Sequence, residues 1–207
     1  MSHSIDSELD TLVARTAGRQ PGRRIFHAVN GLLFWGLLHL TSIPADVLAL
    51  SLGALFAVLL AVDLLRLRSE SLNKLFFALF RLFASPREGS GIASSTWFTA
   101  GAGLAIAILP RPYAAGGILV LALADPIANW FGRLYGRQRF GSGTLFGSTL
   151  FWVVSFGILL PLGGVIPALT AASTTTLLEA ARWKVDDNLV IPISAGGVLW
   201  LIAGVLG

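Results

Sequence analysis

Long runs of apolar residues, broken at fairly even intervals by short polar and basic stretches, dominate the chain. A helix needs about 20 predominantly apolar residues, within about 17–25, to cross a bilayer. Seven segments approach that length: 25–43, 46–65, 92–110, 113–132, 145–162, 164–181 and 188–206. The pattern predicts an all-α, polytopic membrane helix bundle of about seven transmembrane helices. The segment 72–84, LNKLFFALFRLFA, is too short to span. Lys74 and Arg81 interrupt its Leu and Phe positions, which predicts either an amphipathic helix lying in the interface or an extension of the second helix. The polar stretch 1–24 precedes the first span, and 25–207 reads as a single transmembrane domain without internal repeats.

The distribution of charge orients this bundle. Cytoplasmic loops carry an excess of Lys and Arg. Arg15, Arg19, Arg23 and Arg24 precede the first span, and Arg66, Arg68, Lys74, Arg81 and Arg87 follow the second. Arg133, Arg137 and Arg139 follow the fourth, and Arg182 and Lys184 follow the sixth. Of the 15 basic residues only Arg111 falls on the opposite side. The expected topology is N-in, C-out, a multi-pass integral membrane protein.

Composition agrees. Of the 207 residues 55% are hydrophobic and 13% charged, against about 45–50% and about 25% in soluble domains. Disorder is excluded by the same figures. The absence of cysteine removes disulfides, thiolate zinc sites and cysteine nucleophiles. The net charge of +4 serves orientation, so nucleic acid is not an expected partner. No secretory signal pattern opens the chain.

Four segments could carry chemistry. In DPIANWFGRLYG, Asp125 sits in an apolar run, where an ionisable group is costly and usually faces a functional cavity. Pro126 predicts a broken helix there. Gly132 and Gly136 share a helical face, fitting either close helix packing or the approach of a ligand. In RQRFGSGTLFGS, Arg137, Arg139, Gly147 and Ser148 belong to a basic, glycine-rich loop opening the fifth helix. Such a loop is either an anion site or a plain orienting loop; no GxxxxGK[ST] P-loop is present. Near the C-terminus Glu179 precedes Asp186, Asp187 and Asn188. These hard oxygen ligands suit Mg²⁺, or alternatively Asp187 or Asn188 caps the last helix. In RRIFHAVNG, Arg23 and Arg24 either grip phosphate or anchor the first helix, and His27 lies one turn further in. Asp125, Glu179, Asp186, Asp187 and Asn188 all fall toward the cytoplasmic side.

Taken in order, these segments resemble the CTP-dependent lipid-alcohol kinases: dolichol kinase, phytol kinase and the CTP-using diacylglycerol kinase. RRxxHxxxG at Arg23, Arg24, His27 and Gly31 is similar to the family's RKxxHxxxG. DPxAxxxGxxxG matches at Asp125, Pro126, Ala128, Gly132 and Gly136. Glu179 with DDNLVIP at 186–192 resembles its acidic C-terminal block, and Arg87-Glu88 loosely resembles an Arg-x-x-Glu region. The chain departs from the family's KKSLEGS-like stretch, with Ser142, Gly143 and Phe146 in place of lysines and glutamate; Arg137 and Arg139 are left as substitutes.

The resemblance implies transfer of the γ-phosphoryl group of CTP to a lipid alcohol at the cytoplasmic face, with Mg²⁺ as cofactor. It assigns Asp125, Asp187 and Asn188 to the metal with Asp186 in support, and either Glu179 or Asp125 to the hydroxyl proton. Arg23, Arg24 and Arg137 would neutralise phosphates. His27 would orient a phosphate or the acceptor, and Gly132, Gly136 and Gly147 would let the nucleotide approach backbone. The competing expectations are a phospholipid cytidylyltransferase using CTP, a small seven-helix transporter and a structural membrane subunit. The expected partners are CTP, the lipid alcohol and the surrounding lipid; the sequence is compatible with a homodimer.

Overall fold

The computed structural model of the chain describes residues 8–18, 20–181 and 185–206. Arg19, Arg182 and Lys184, counted above in the charge pattern, lie outside the described residues, as does His3. Among the described residues the protein is all-helical apart from one two-residue ladder. In chain order it comprises α1 (Glu8–Ala14), α2 (Pro21–Leu40), α3 (Ala45–Arg68), α4 (Glu70–Phe80), a 3₁₀ turn (Pro86–Gly89), α5 (Ser94–Ile108), α6 (Arg111–Leu119), a π turn (Val120–Ala124) and α7 (Asp125–Tyr135). There follow β1 (Arg139–Phe140), β2 (Gly143–Thr144), α8 (Leu145–Gly163), α9 (Val165–Ala180) and α10 (Asp187–Leu206).

All seven predicted apolar segments are helical. Among the described residues four helices are long and apolar enough to cross a membrane: α3, the continuous run Arg111–Tyr135, α8 and α10. At 15 and 16 residues, α5 and α9 are shorter than a full span. Large apolar side chains cover the outside, Leu50 being 74% and Val205 81% exposed. In water such a surface would drive association; in hydrocarbon it is solvated.

Two apolar cores hold the helices together. One gathers Val120, Leu121, Phe151, Leu159, Ile191 and Leu199 between the α6–α7 run, α8 and α10. The other joins Leu38, Leu52, Ile106 and Ile118 of α2, α3, α5 and α6. Small residues set the closest approaches. A methyl group at Gly117 would collide with the Pro192 carbonyl, and one at Gly101 with the Asn188 carbonyl.

Two expectations need correction, and one element was not foreseen. Pro126 does not break the helix: it falls in the first turn of α7, directly after the π turn. A π turn carries one residue more than an α turn, which absorbs the missing donor and the ring of proline within the buried run Val120–Ala124. The segment after the second helix is a separate short helix and not an extension of α3, with bounds at 70–80 instead of 72–84. Ser69, extended at φ −131°, separates α3 from α4, and its Oγ accepts from the Leu72 N–H at 3.4 Å. Finally, the N-terminal stretch holds a short helix, α1, whose Glu8 pairs with Lys74 of α4 at 3.2 Å. Hydrogen bonds from Lys74 to Glu70 and then to Glu8 raise the lysine pKa.

Arg111, the isolated cation of the sequence, ties one end of the bundle together. Its Nε donates to the Leu38 carbonyl, Nη2 to Thr41 (2.7 Å) and Nη1 to Ile43 (2.8 Å). One side chain thus satisfies the end of α2 and the turn into α3, where the last carbonyls of a helix lack partners. Arg111→Ala is expected to lower stability by about 2–3 kcal/mol, the scale of hydrogen bonds to a charged group. Thermal unfolding of the detergent-solubilised protein checks this; an unchanged midpoint would contradict the assignment.

Candidate functional site

The opposite end of the bundle collects most of the polar side chains singled out from the sequence. Arg23 and Arg24 sit in the first turn of α2, which Pro21 initiates without wasting a donor. The Arg24 guanidinium lies over the Trp130 ring, 5.3 Å from its centroid. Arg23 donates through Nη2 to the Ser94 hydroxyl at the start of α5. Asp125 opens α7 and interacts electrostatically with Arg23, Asp186 and Arg24; its Oδ1 accepts from Asn129 Nδ2 at 2.7 Å. Asn129 stands one helical turn on, so α7 itself holds the carboxylate in place.

The acidic C-terminal residues approach from two more helices. Glu179, near the end of α9, interacts electrostatically with Asp125 and Asp187. Asp187 interacts with Asp125, Asp186 and Arg87. The helix cap is neither Asp187 nor Asn188 but Asp186, whose Oδ1 accepts from the Asn188 N–H at 3.0 Å and from Asn188 Nδ2 at 2.6 Å. Those two hydrogen bonds fix the Asn188 side-chain amide and leave its Oδ1 free of the cap. Four acidic side chains and three arginines from α2, α7, α9, α10 and the 3₁₀ turn therefore share one electrostatic neighbourhood. Among the described residues no three His, Asp or Glu side chains are gathered closely enough to form a metal cage.

Beside this cluster lies a polar cavity of about 350 Å³ lined by Asn129, Gly132, Arg133, Arg139, Ser142, Gly143, Thr144, Gly147, Ser148, Glu179 and Ala128. Its wall is a hairpin the sequence pattern did not announce. Arg139 pairs with Thr144 and Phe140 with Gly143 across a two-residue antiparallel ladder. Gly141 turns the hairpin at φ +54°, pressed so close to the Ala180 carbonyl that no side chain could enter. Ser142 N–H donates to that same carbonyl at 2.8 Å. Thr144 caps α8, its Oγ1 accepting from Gly147 N–H at 3.2 Å. Gly132 and Gly147 face each other where α7 crosses α8; a methyl on Gly132 would stand 3.0 Å from the Gly147 Cα. The glycines thus both permit close packing and floor the cavity.

Not every expected residue joins this site. Gly136 packs against the Thr144 side chain, Arg137 is exposed outside the cavity lining, and His27 lines a different, apolar cavity. Glu179 Oε2 is buried without a hydrogen-bond partner among the described residues.

A second polar cluster was missed. Asp63 and Arg66 on α3 are each 2% exposed and bonded at 2.7 Å. Arg66 also donates to Asn73 Oδ1 (2.8 Å), the Glu88 carbonyl (2.7 Å) and the Gly91 carbonyl (2.8 Å), with its guanidinium 4.2 Å from the Phe76 ring centroid. Asp63 Oδ2 accepts from Thr96 Oγ1 (2.6 Å) and Ala93 N–H (3.0 Å). Glu88 Oε1 accepts from Ser94 N–H at 3.2 Å. The signal was present: an acid within an apolar run, three residues before an arginine, is the spacing of a helical ion pair.

No protein-family model, curated protein or solved structure matches the chain.

Proposed function

We propose that this protein is a membrane-embedded kinase that transfers the γ-phosphoryl group of CTP to the hydroxyl of a lipid alcohol, in the manner of the lipid-alcohol kinases its motifs resemble. The observation that carries the reading is the meeting of Arg23, Arg24, Asp125, Glu179 and Asp187, from helices distant in sequence, in one electrostatic neighbourhood. Ionisable groups near apolar spans are costly, and a merely structural bundle has no use for four acids in one place. Phosphoryl transfer has such a use, since it depends on positioning and charge neutralisation.

In this reading the chain crosses the membrane seven times, N-in and C-out, with α4 at the interface and the site facing the cytoplasm. The nucleotide phosphates occupy the polar cavity, against Arg139, Ser148 and the bare backbone at Gly132 and Gly147, while Arg23 and Arg24 neutralise charge. The donor set fits Mg²⁺, which takes one or two carboxylates and completes its shell with water and phosphate oxygens, so no three-acid cage is required. Asp125, Asp187 and Asn188 Oδ1 would hold it, Asp186 fixing the asparagine. When bound, Mg²⁺ supplies charge neutralisation on the phosphate oxygens.

Glu179, with an unpartnered buried oxygen, accepts the hydroxyl proton as the lipid oxygen bonds to the γ-phosphorus. The bond from that phosphorus to the β-phosphate oxygen breaks, and CDP leaves. The test is the purified protein with CTP, ATP, GTP or UTP and a panel of lipid alcohols, following γ-labelled phosphorus. Lipid phosphate formed from CTP in preference to the others is expected. Label released only as pyrophosphate, or no nucleotide-dependent product, would overturn the proposal.

A further inference from the structure

An apolar cavity of about 490 Å³ lies between α2, α3, α4 and α5, none of the acidic cluster's carboxylates in its lining. Phe26, Leu59, Phe76, Phe80, Phe83 and Phe98 wall it. Phe76 and Phe80 belong to α4, whose start is fixed by the Ser69 cap and whose underside is held by Arg66. The helix thereby roofs the cavity instead of drifting over it.

Most polar groups at this cavity are already engaged. Asp63 is taken by Thr96 and Ala93, Glu88 by Ser94. Among the described residues three side chains, Ser95, Asn30 and His27, keep free hydrogen-bonding capacity. Asn30 donates to the Phe26 carbonyl at 2.8 Å, which leaves its side-chain oxygen unpaired among the described residues. Among the described residues His27 has no hydrogen-bond partner and lies edge-on to Phe98 at 5.2 Å and to Phe26 at 6.1 Å. His27 also lies one helical turn from Arg23 on the same face of α2, and Arg23 interacts with Asp125. The cavity is therefore an apolar chamber with hydrogen-bonding groups at His27 and Asn30, a helical turn or two along α2 from Arg23.

We propose that this cavity binds the tail of a single-chain lipid alcohol, its hydroxyl end at His27 and Asn30 and its chain beneath α4. The occupant follows from volume and charge. At roughly the 30 Å³ that a water-sized group occupies, the space admits about 16 chain carbons. One chain of that size fills it; the second chain of a diacylglycerol would have to lie outside. Imidazole and amide groups recognise a hydroxyl, whereas an anionic headgroup would meet the carboxylates of Asp63 and Glu88 and no lysine or arginine within the lining. The role of the alcohol as phosphoryl acceptor rests on the kinase reading, but the binding does not.

The experiment uses the full chain in nanodiscs without nucleotide, labelled by a 16-carbon alcohol carrying a photoreactive group near its tail. Cross-links are expected on α3, α4 and α5 at the cavity wall. Unlabelled single-chain alcohol should compete at least ten times better than diacylglycerol. Leu59→Trp, which fills the chamber from α3, should reduce labelling at least tenfold, while Leu59→Ala should retain it and accept a longer chain. Cross-links scattered over the outer helix faces, equal competition by diacylglycerol, or labelling indifferent to Leu59→Trp in a protein that folds normally would overturn the assignment. Selective labelling in a protein that transfers no phosphorus from CTP would uphold the cavity and defeat the kinase reading alone.

Discussion

Asp125→Asn is expected to reduce CTP-dependent lipid phosphorylation by about 10²–10³-fold, the scale lost when one preorganised electrostatic group is removed from an active site. The substitution keeps the shape of the side chain and an oxygen able to accept from Asn129, which now bonds at 2.7 Å. What disappears is the charge that faces Arg23 and Arg24 and that would hold the cation. Membrane insertion and the amount of folded protein should match the parent. Asp46→Asn supplies the control, because Asp46 lies in the first turn of α3, by the end that Arg111 ties together; its turnover should stay within about twofold. Near-normal turnover of Asp125→Asn would remove this carboxylate from the chemistry.

The second large effect is structural. Asp63→Ala would leave the Arg66 guanidinium buried with its charge uncompensated, a situation that costs about 3–5 kcal/mol when one partner of a buried pair is deleted. The loss would extend to α4 and the 3₁₀ turn, since Arg66 also holds Asn73, Glu88 and Gly91. Thermal unfolding should show a large drop, and limited proteolysis should cut first between α4 and α5. The paired replacement Asp63→Leu with Arg66→Met should be milder than Asp63→Ala, because both charges go together. A single variant as stable as the parent would show that the network contributes little.

The helices were legible because their apolar runs are long and their interruptions basic. Their exact lengths were not. The α5 and α9 segments end early where Leu109-Pro110 and Ala181 turn to extended backbone, a local event that an apolar run such as GLAIAIL conceals. Pro126 misled for a related reason: its chemistry forbids an α turn of ordinary spacing but tolerates a wider one, and only the packed surroundings select between a wider turn and a break. The candidate site was readable as residue types, not as an arrangement. Asp186 took the capping role assigned to its neighbours because the first backbone donors of α10 point at it. The hairpin 139–144 escaped notice since two residues a side carry no alternation to detect. The Asp63–Arg66 pair was visible in spacing, but Arg66 had already been used to orient the chain.

The wide turn at Val120–Ala124 has a consequence for the aim of everything after it. Each residue advances a helix by about 100°, so one surplus residue sets the angular phase of the whole downstream segment. Winding the same residues 120–124 as ordinary α-helix would swing Asp125 and Asn129 by about the 100° of the one residue that the wide turn absorbs, away from Arg23. Gly132 would leave Gly147 in the same rotation, with a side chain thrust into the crossing. The direction in which this carboxylate looks is thus written five residues upstream of it, in a stretch of Val, Leu and Ala that bears no functional group at all.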